Sequence, residues 1–175
     1  MTLGSASEQA KPVVVLAVGN PSRGDDALGP VLLARLENWL QAEGRAGEVD
    51  LIEEFQLNIE HALDLEGRRL ALFVDCGTGT PAPCTFTRLE AAADLGSSTH
   101  ALEPGAVLRV FSQVSQKLPP PAAFVLCVAG HSFELGDPLS ERALENADAA
   151  FKLLQALMSD PTAAAWEALA RSMQR

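Results

Sequence analysis

Basic residues are scarce in this sequence. Its 175 residues include 13 lysines and arginines against 23 aspartates and glutamates, so the formal net charge is −10. An acidic surface repels the phosphate backbone, which argues against nucleic-acid binding. Long apolar stretches are also missing, and no run approaches the roughly 20 residues that a membrane-spanning helix needs. We therefore expect a partner that is neither nucleic acid nor a membrane.

Cysteine is rare, and its pattern is not that of a disulfide framework. The three cysteines, Cys76, Cys84 and Cys127, are odd in number and lack the spacing of a zinc finger. Residues 1–11 contain no apolar segment of the kind found in signal peptides. These absences favour a reducing compartment, and we expect a cytoplasmic protein with a flexible segment at residues 1–11.

Common motifs for nucleotide binding and for covalent hydrolysis are absent as well. Residues 19–26 (GNPSRGDD) contain neither Gly-x-Gly-x-x-Gly nor Gly-Lys-Ser/Thr, and two adjacent acids repel phosphate. No serine lies in a Gly-x-Ser-x-Gly elbow, and no cysteine has the sequence signature of a nucleophile. If the chain is a hydrolase, we expect it to use an activated water.

The segments that are present alternate between apolar runs and helical patterns. Unbroken, β-branched runs such as PVVVLAV are typical of parallel strands covered on both faces. The predicted strands are residues 12–18, 49–53, 70–75, 85–89 (at an edge) and 122–129. The predicted helices are residues 28–44, 59–65, 102–117 and 141–158, the last capped by Ser140 and followed by an alanine-rich tail. This order predicts one α/β domain over residues 12–175, a three-layer sandwich with a mostly parallel, twisted sheet and helices on both faces.

Acidic residues follow two of these strands. Ligand sites in parallel sheets lie beyond the carboxyl ends of the strands, where Asp25, Asp26 and Asp75 are predicted to lie. One member of the Asp25-Asp26 pair can cap the first helix, but capping alone does not explain a second adjacent carboxylate. Asp75 either caps its own turn or faces the cleft, and its position at the end of a buried strand favours the cleft.

The three histidines differ in their predicted surroundings. His61 lies on the short second helix and is expected to be solvated. His100 lies in a polar loop, and His131 follows the last strand. Two carboxylates and one histidine from separate segments would suit a metal ion, and either His100 or His131 can complete such a set.

Four segments, in order, resemble the [NiFe]-hydrogenase maturation endopeptidases. They are VVVLAVGNPSRGDDALGPVLLARL (13–36), LALFVDCGTG (70–79), SSTHALEP (97–104) and CVAGHSFELGDPLSERALENA (127–147). The resemblance implies a metal-dependent endopeptidase that removes the C-terminal peptide from the nickel-loaded precursor of a hydrogenase large subunit. It also implies that the nickel arrives with the precursor. A further segment, EEFQLNIEHALDLEG, is similar to the subgroup that serves cytoplasmic NAD(P)-linked hydrogenases.

Residue by residue, the resemblance implies a catalytic and metal-binding triad of Asp26, Asp75 and His100, which decides between the two histidines. Residues expected to contact the precursor are Asn20, Asp25, Gln56 and His131. Asp25 is expected to cap the first helix, and the alternative is that it acts as a base near the metal. The sequence departs from the family pattern at Ala27, where glycine is usual, and Asp26 stands where some members have glutamate. We expect the protein to act as a monomer.

Two other functions are compatible with the same residues. A non-catalytic nickel-sensing or chaperone module would bind the precursor without cutting it. A nucleotide- or small-molecule-binding α/β domain would be stabilised by its ligand rather than by nickel.

Overall fold

The computed structural model describes residues 10–93, 102–115 and 118–174. Within them the chain forms one sheet of five strands in the order β2-β1-β3-β5-β4. The strands are β1 (Val13–Val18), β2 (Val49–Glu54), β3 (Leu70–Thr78), β4 (Cys84–Arg88) and β5 (Ala122–Gly130). Four of them are parallel, and only the edge strand β4 runs antiparallel, paired with β5.

Helices cover both faces of this sheet. The α-helices are α1 (Leu28–Ala42), α2 (Pro104–Val114), α3 (Glu141–Ser159) and α4 (Ala163–Met173), and two 3₁₀ helices span Gly24–Ala27 and Ile59–Leu65. Side chains of α1, α3 and α4 pack on one face, and those of α2 and of the second 3₁₀ helix pack on the other. The predicted α/β sandwich is therefore confirmed, because the alternating buried runs require cover on both faces.

Strand β3 is longer than the sequence predicts. Its pairing with β1 ends at Ala17↔Val74, whereas its pairing with β5 continues to Thr78↔Gly130. Asp75 therefore does not end the strand, and that prediction is wrong by three residues. It lies one residue past the last β1 partner, so the sheet opens beside it on the β1 side.

The alanine-rich segment after residue 160 is a packed helix and not a tail. Helix α4 is capped by Thr162, whose side chain accepts a hydrogen bond from the Ala165 amide. Trp166 is only 1% exposed, lies against Phe86 and Phe124, and donates its indole N–H to the Leu157 carbonyl at 2.9 Å. The short helix is stable because this large side chain is buried.

No helix among the described residues has the length and apolarity needed to cross a membrane.

Candidate functional site

Residues 19–27, which we call the acidic turn, connect β1 to α1 and form a compact turn. The Gly19 amide donates to the Glu54 carbonyl at 3.0 Å, which ties the turn to the end of β2. A Cβ atom on Gly19 would lie 1.9 Å from the Asp26 carbonyl oxygen, so only glycine fits there. The half-buried Asp26 side chain accepts a hydrogen bond from the Asn20 amide at 3.0 Å. The turn therefore fixes Asp26 at the carboxyl ends of the strands.

Asp75 lies across this edge, on β3. Its Oδ1 accepts a hydrogen bond from the Cys76 amide at 2.7 Å. Burial raises the pKa of Asp75 to about 6; the hydrogen bond from Cys76 acts in the opposite direction, and the negative charges of Asp26 and Glu103 add to the rise. The structure thus brings Asp26 and Asp75 close enough for their charges to interact, as expected for two members of one site.

Asp25 occupies a different position from the one predicted. Its side chain makes no capping hydrogen bond to the 3₁₀ helix, so the capping prediction is wrong. The side chain is completely buried and accepts hydrogen bonds from residues 131, 132 and 140. Burial alone would raise the pKa of Asp25, but these hydrogen bonds outweigh it and hold the pKa below its ordinary value. A side chain with no exposed surface does not contact a substrate, so the predicted contact between Asp25 and the precursor is wrong.

The other predicted contact residues lie around the acidic turn. Asn20 is half-buried, and its Oδ1 accepts a hydrogen bond from the Ser22 amide at 2.9 Å. Gln56 is exposed two residues after β2, and His131 is exposed one residue after β5. Their roles stay predictions. His100, the predicted third member of the triad, lies outside the described residues.

His61 is not the solvated residue that its helical position predicts. It is 5% exposed, and its Nδ1 accepts a hydrogen bond from the Asn58 amide at 2.9 Å. Its Nε2 lies 3.6 Å from Glu54 Oε1. The ring belongs to a capping box at the start of the second 3₁₀ helix, and this local bond explains its burial.

Three potential ligands do not come together within the described part of the chain, where no group of three His, Cys, Asp or Glu side chains is arranged to hold a metal ion. Two carboxylates from separate segments, Asp26 and Asp75, provide hard oxygen ligands for part of a cation's coordination sphere.

Sequence reasoning missed Ser140 and Glu103 as neighbours of the site. Ser140 is the predicted cap of α3, but it also bonds Asp25, which lies 115 residues earlier. Glu103 precedes α2 and adds negative charge near Asp75. Neither neighbour has a local sequence signal, because its position near the site depends on how the helices cross the sheet.

Solved structures that share this architecture include several hydrogenase maturation proteases. The [NiFe] hydrogenase maturation protease HycI from Thermococcus kodakarensis is 22% identical, with a TM-score of 0.61 over 88% of this chain and 96% of that one. The hydrogenase maturating endopeptidase HybD from Escherichia coli is 19% identical, with a TM-score of 0.59 over 84% and 92% of the two chains. The hydrogenase 2 maturation peptidase from Thaumarchaeota archaeon SCGC_AB-539-E09 is 22% identical, with a TM-score of 0.56 over 85% and 97%.

The chain has the fold of the hydrogenase maturation proteases. The sequence matches no protein-family model and, at a significant level, no curated protein. Because Asp26 follows β1 in this chain, it lies at the carboxyl ends of the parallel strands, where such sheets bind their ligands.

Proposed function

We propose that this protein is an endopeptidase that removes a C-terminal peptide from the nickel-loaded precursor of a [NiFe] hydrogenase large subunit. The observation that carries the proposal is that Asp26 and Asp75 lie near enough for their charges to interact, at the open edge of a sheet that has the maturation-protease fold. Solved structures of that fold include hydrogenase maturation proteases and endopeptidases. The four sequence segments that resemble the maturation endopeptidases support the same function.

In this proposal the nickel belongs to the substrate. Asp26 and Asp75 hold it together with His100, and the precursor's own ligands occupy its remaining positions. When bound, such a cation polarises a carbonyl group or lowers the pKa of a bound water. Requiring the metal would also prevent the enzyme from cutting a precursor that has not yet received it.

Asp75 has a second property that suits this reaction. Because its pKa is raised to about 6, its carboxyl group is mostly ionised at neutral pH but accepts a proton more readily than an ordinary aspartate. An ionised Asp75 beside the negative charge of Asp26 is unfavourable until a cation neutralises the pair. The free site therefore favours a metal-loaded ligand over a neutral one.

The exposed residues around the acidic turn provide the contacts with the precursor. Gln56 after β2 and His131 after β5 lie on either side of Asn20, and we propose that they bind the peptide next to the cleavage point. The acidic chain suits a precursor with a basic docking surface. We propose further that the protein acts as a monomer in the cytoplasm.

Intact mass spectrometry of candidate large-subunit precursors, with and without nickel, tests the function directly. We expect loss of a C-terminal peptide only from the nickel-loaded precursor. Asp26→Ala, Asp75→Ala and His100→Ala are each expected to reduce processing by at least about 100-fold. Asp148→Ala, which removes an exposed carboxylate on α3, is the matched control and should process normally.

Two results would contradict the proposal. A stable complex with the loaded precursor and no change in its mass would indicate a nickel-sensing or chaperone module. Stabilisation by nucleotides, without any effect of nickel or precursor, would indicate a small-molecule-binding domain.

Loss of activity in His131→Ala but not in His100→Ala would leave the function standing and exchange the third ligand.

A further inference from the structure

Residues 131–140, the late loop, run between β5 and α3 and are bonded to the acidic turn along their length. The Gly24 amide donates to the Asp137 carbonyl at 3.1 Å, and the Asp25 amide donates to the Ser132 carbonyl at 2.7 Å. In the other direction, the Gly136 amide donates to the Ser22 carbonyl at 2.8 Å. The two segments therefore form one unit, although more than a hundred residues separate them in the sequence.

The Asp25 carboxylate lies at the centre of this unit. Its Oδ2 accepts hydrogen bonds from the His131 amide at 2.7 Å, the Ser132 amide at 3.0 Å and the Ser140 hydroxyl at 2.9 Å. Its Oδ1 accepts from the Ser140 amide at 2.7 Å. Both ends of the late loop, at His131 and at Ser140, are thus held by a single side chain.

This carboxylate is buried without an ion pair. Its exposure is 0%, and no lysine, arginine or histidine side chain of the described residues forms a salt bridge with it. Burying an uncompensated charge is costly, and only donated N–H and O–H groups offset the cost here. They include the amide of Ser140, the N-cap of α3, where the helix dipole favours negative charge.

An uncharged residue would not fill the same place. An asparagine has one acceptor oxygen, and its NH₂ group would face either the Ser140 amide or the three donors on the other side. The surroundings also allow little movement. A Cβ atom on Gly130 would lie 3.2 Å from Asp25 Cβ and 2.4 Å from Cys76 Sγ, and one on Gly24 would lie 2.6 Å from the Ser132 carbonyl oxygen.

We propose that Asp25 is a positioning residue for peptide cleavage, which acts by fixing Asp26 on one side and His131 on the other. The inference rests on the proposed function, since it concerns the same reaction. Asp25 and Asp26 share the first 3₁₀ helix, so anchoring the Asp25 side chain inward sets the direction in which Asp26 leaves the backbone. The same bonds set the backbone of His131, whose side chain is exposed at the rim of the site.

A purely structural role would lower stability and leave the turnover of folded enzyme unchanged, so the test separates kcat from KM. Nickel-loaded precursor is titrated against wild-type enzyme and Asp25→Asn at a temperature where urea curves show both to be folded. We expect kcat to fall about 100-fold in Asp25→Asn, because a displacement of about 1 Å of a reacting group has that effect. KM should change less than about tenfold, because His131 is the one proposed contact residue that bonds Asp25, whereas Asn20 and Gln56 do not depend on it.

Ser140 provides a second variant that removes only part of the arrangement. Ser140→Ala loses one hydrogen bond to the Asp25 carboxylate and should lower kcat about tenfold. Ser140→Thr keeps a hydroxyl and should restore most of the rate. Ser159→Ala is the matched control, because the exposed Ser159 hydroxyl bonds the Gln155 carbonyl at the opposite end of α3.

Each outcome decides the proposal. A folded Asp25→Asn enzyme with the wild-type kcat would overturn it, as would a change confined to KM. If Asp25→Asn does not fold, equal rates in Ser140→Ala and wild type would overturn it instead. Failure of the wild-type protein to cut any loaded precursor would overturn the proposed function and this inference together, and that result is distinct from the others.

Discussion

Replacing Asp75 with asparagine is expected to stabilise the protein while it abolishes cleavage. Asparagine has nearly the same shape as a protonated aspartate, and its oxygen can still accept the hydrogen bond from the Cys76 amide. What the substitution removes is a partly buried negative charge that lies near the charges of Asp26 and Glu103. The site would thus retain its packing and lose an unfavourable ionisation.

The size and sign of the effect follow from the two pKa values of Asp75. Its pKa is about 6 in the folded protein and 3.8 ordinarily, so the folded state binds the proton more tightly. Its contribution to stability is therefore present at low pH and is lost as the pH rises toward and through about 6. Compared with a side chain that is always neutral, Asp75 lowers the free energy of unfolding by about 3 kcal/mol at pH 7.5 and by about 1 kcal/mol at pH 4.5.

Urea unfolding of the two proteins at several pH values between 4.5 and 8, in the presence of a chelator, measures this difference. Asp75→Asn should exceed the wild type by about 3 kcal/mol in unfolding free energy at pH 7.5 and by about 1 kcal/mol at pH 4.5. Asp148→Asn is the control, because that carboxylate is 70% exposed and its surface ion pair contributes little. A loss of stability in Asp75→Asn at pH 7.5, or a difference that does not change with pH, would refute the reasoning.

Two further expectations concern the core. Trp166→Ala should lower the unfolding free energy by about 3–5 kcal/mol in urea titrations, because the side chain is buried against Phe86 and Phe124. A change below about 1 kcal/mol would mean that α4 is not packed as described. Burial raises the pKa values of all three thiols. They should therefore react slowly with iodoacetamide at pH 8 in the native protein and rapidly in urea. Fast alkylation of Cys76 or Cys84 in the native protein would contradict their burial.

The fold was largely predictable because its main signal is local. Buried parallel strands read as unbroken apolar runs, and helices show their apolar stripe, so the positions of all five strands and of α1 to α3 follow from the pattern. Helix α4 was missed because one tryptophan among alanines does not form a stripe. The end of β3 was missed because Gly77 suggests a turn, whereas the pairing with β5 continues past it.

The candidate site was predictable only where residue type and strand position coincide. Asp26 lies in the turn after β1, and Asp75 lies near the carboxyl end of β3. These two strands are neighbours in the sheet, so their ends lie side by side. The environments of Asp25 and His61 were not predictable. The donors to Asp25 lie more than a hundred residues away, and His61 is buried by a local capping box whose usual sequence signature has glutamate or glutamine where this chain has histidine.

The hydrogen bonds of Asp25 reach residues 106 to 115 positions further along the chain. A site built this way is incomplete in a partly synthesised chain, because the Asp25 carboxylate has none of its donors until the last strand and the start of α3 are in place. A nascent or clipped protein that ends before residue 140 would keep its carboxylates and still lack the arrangement that directs them.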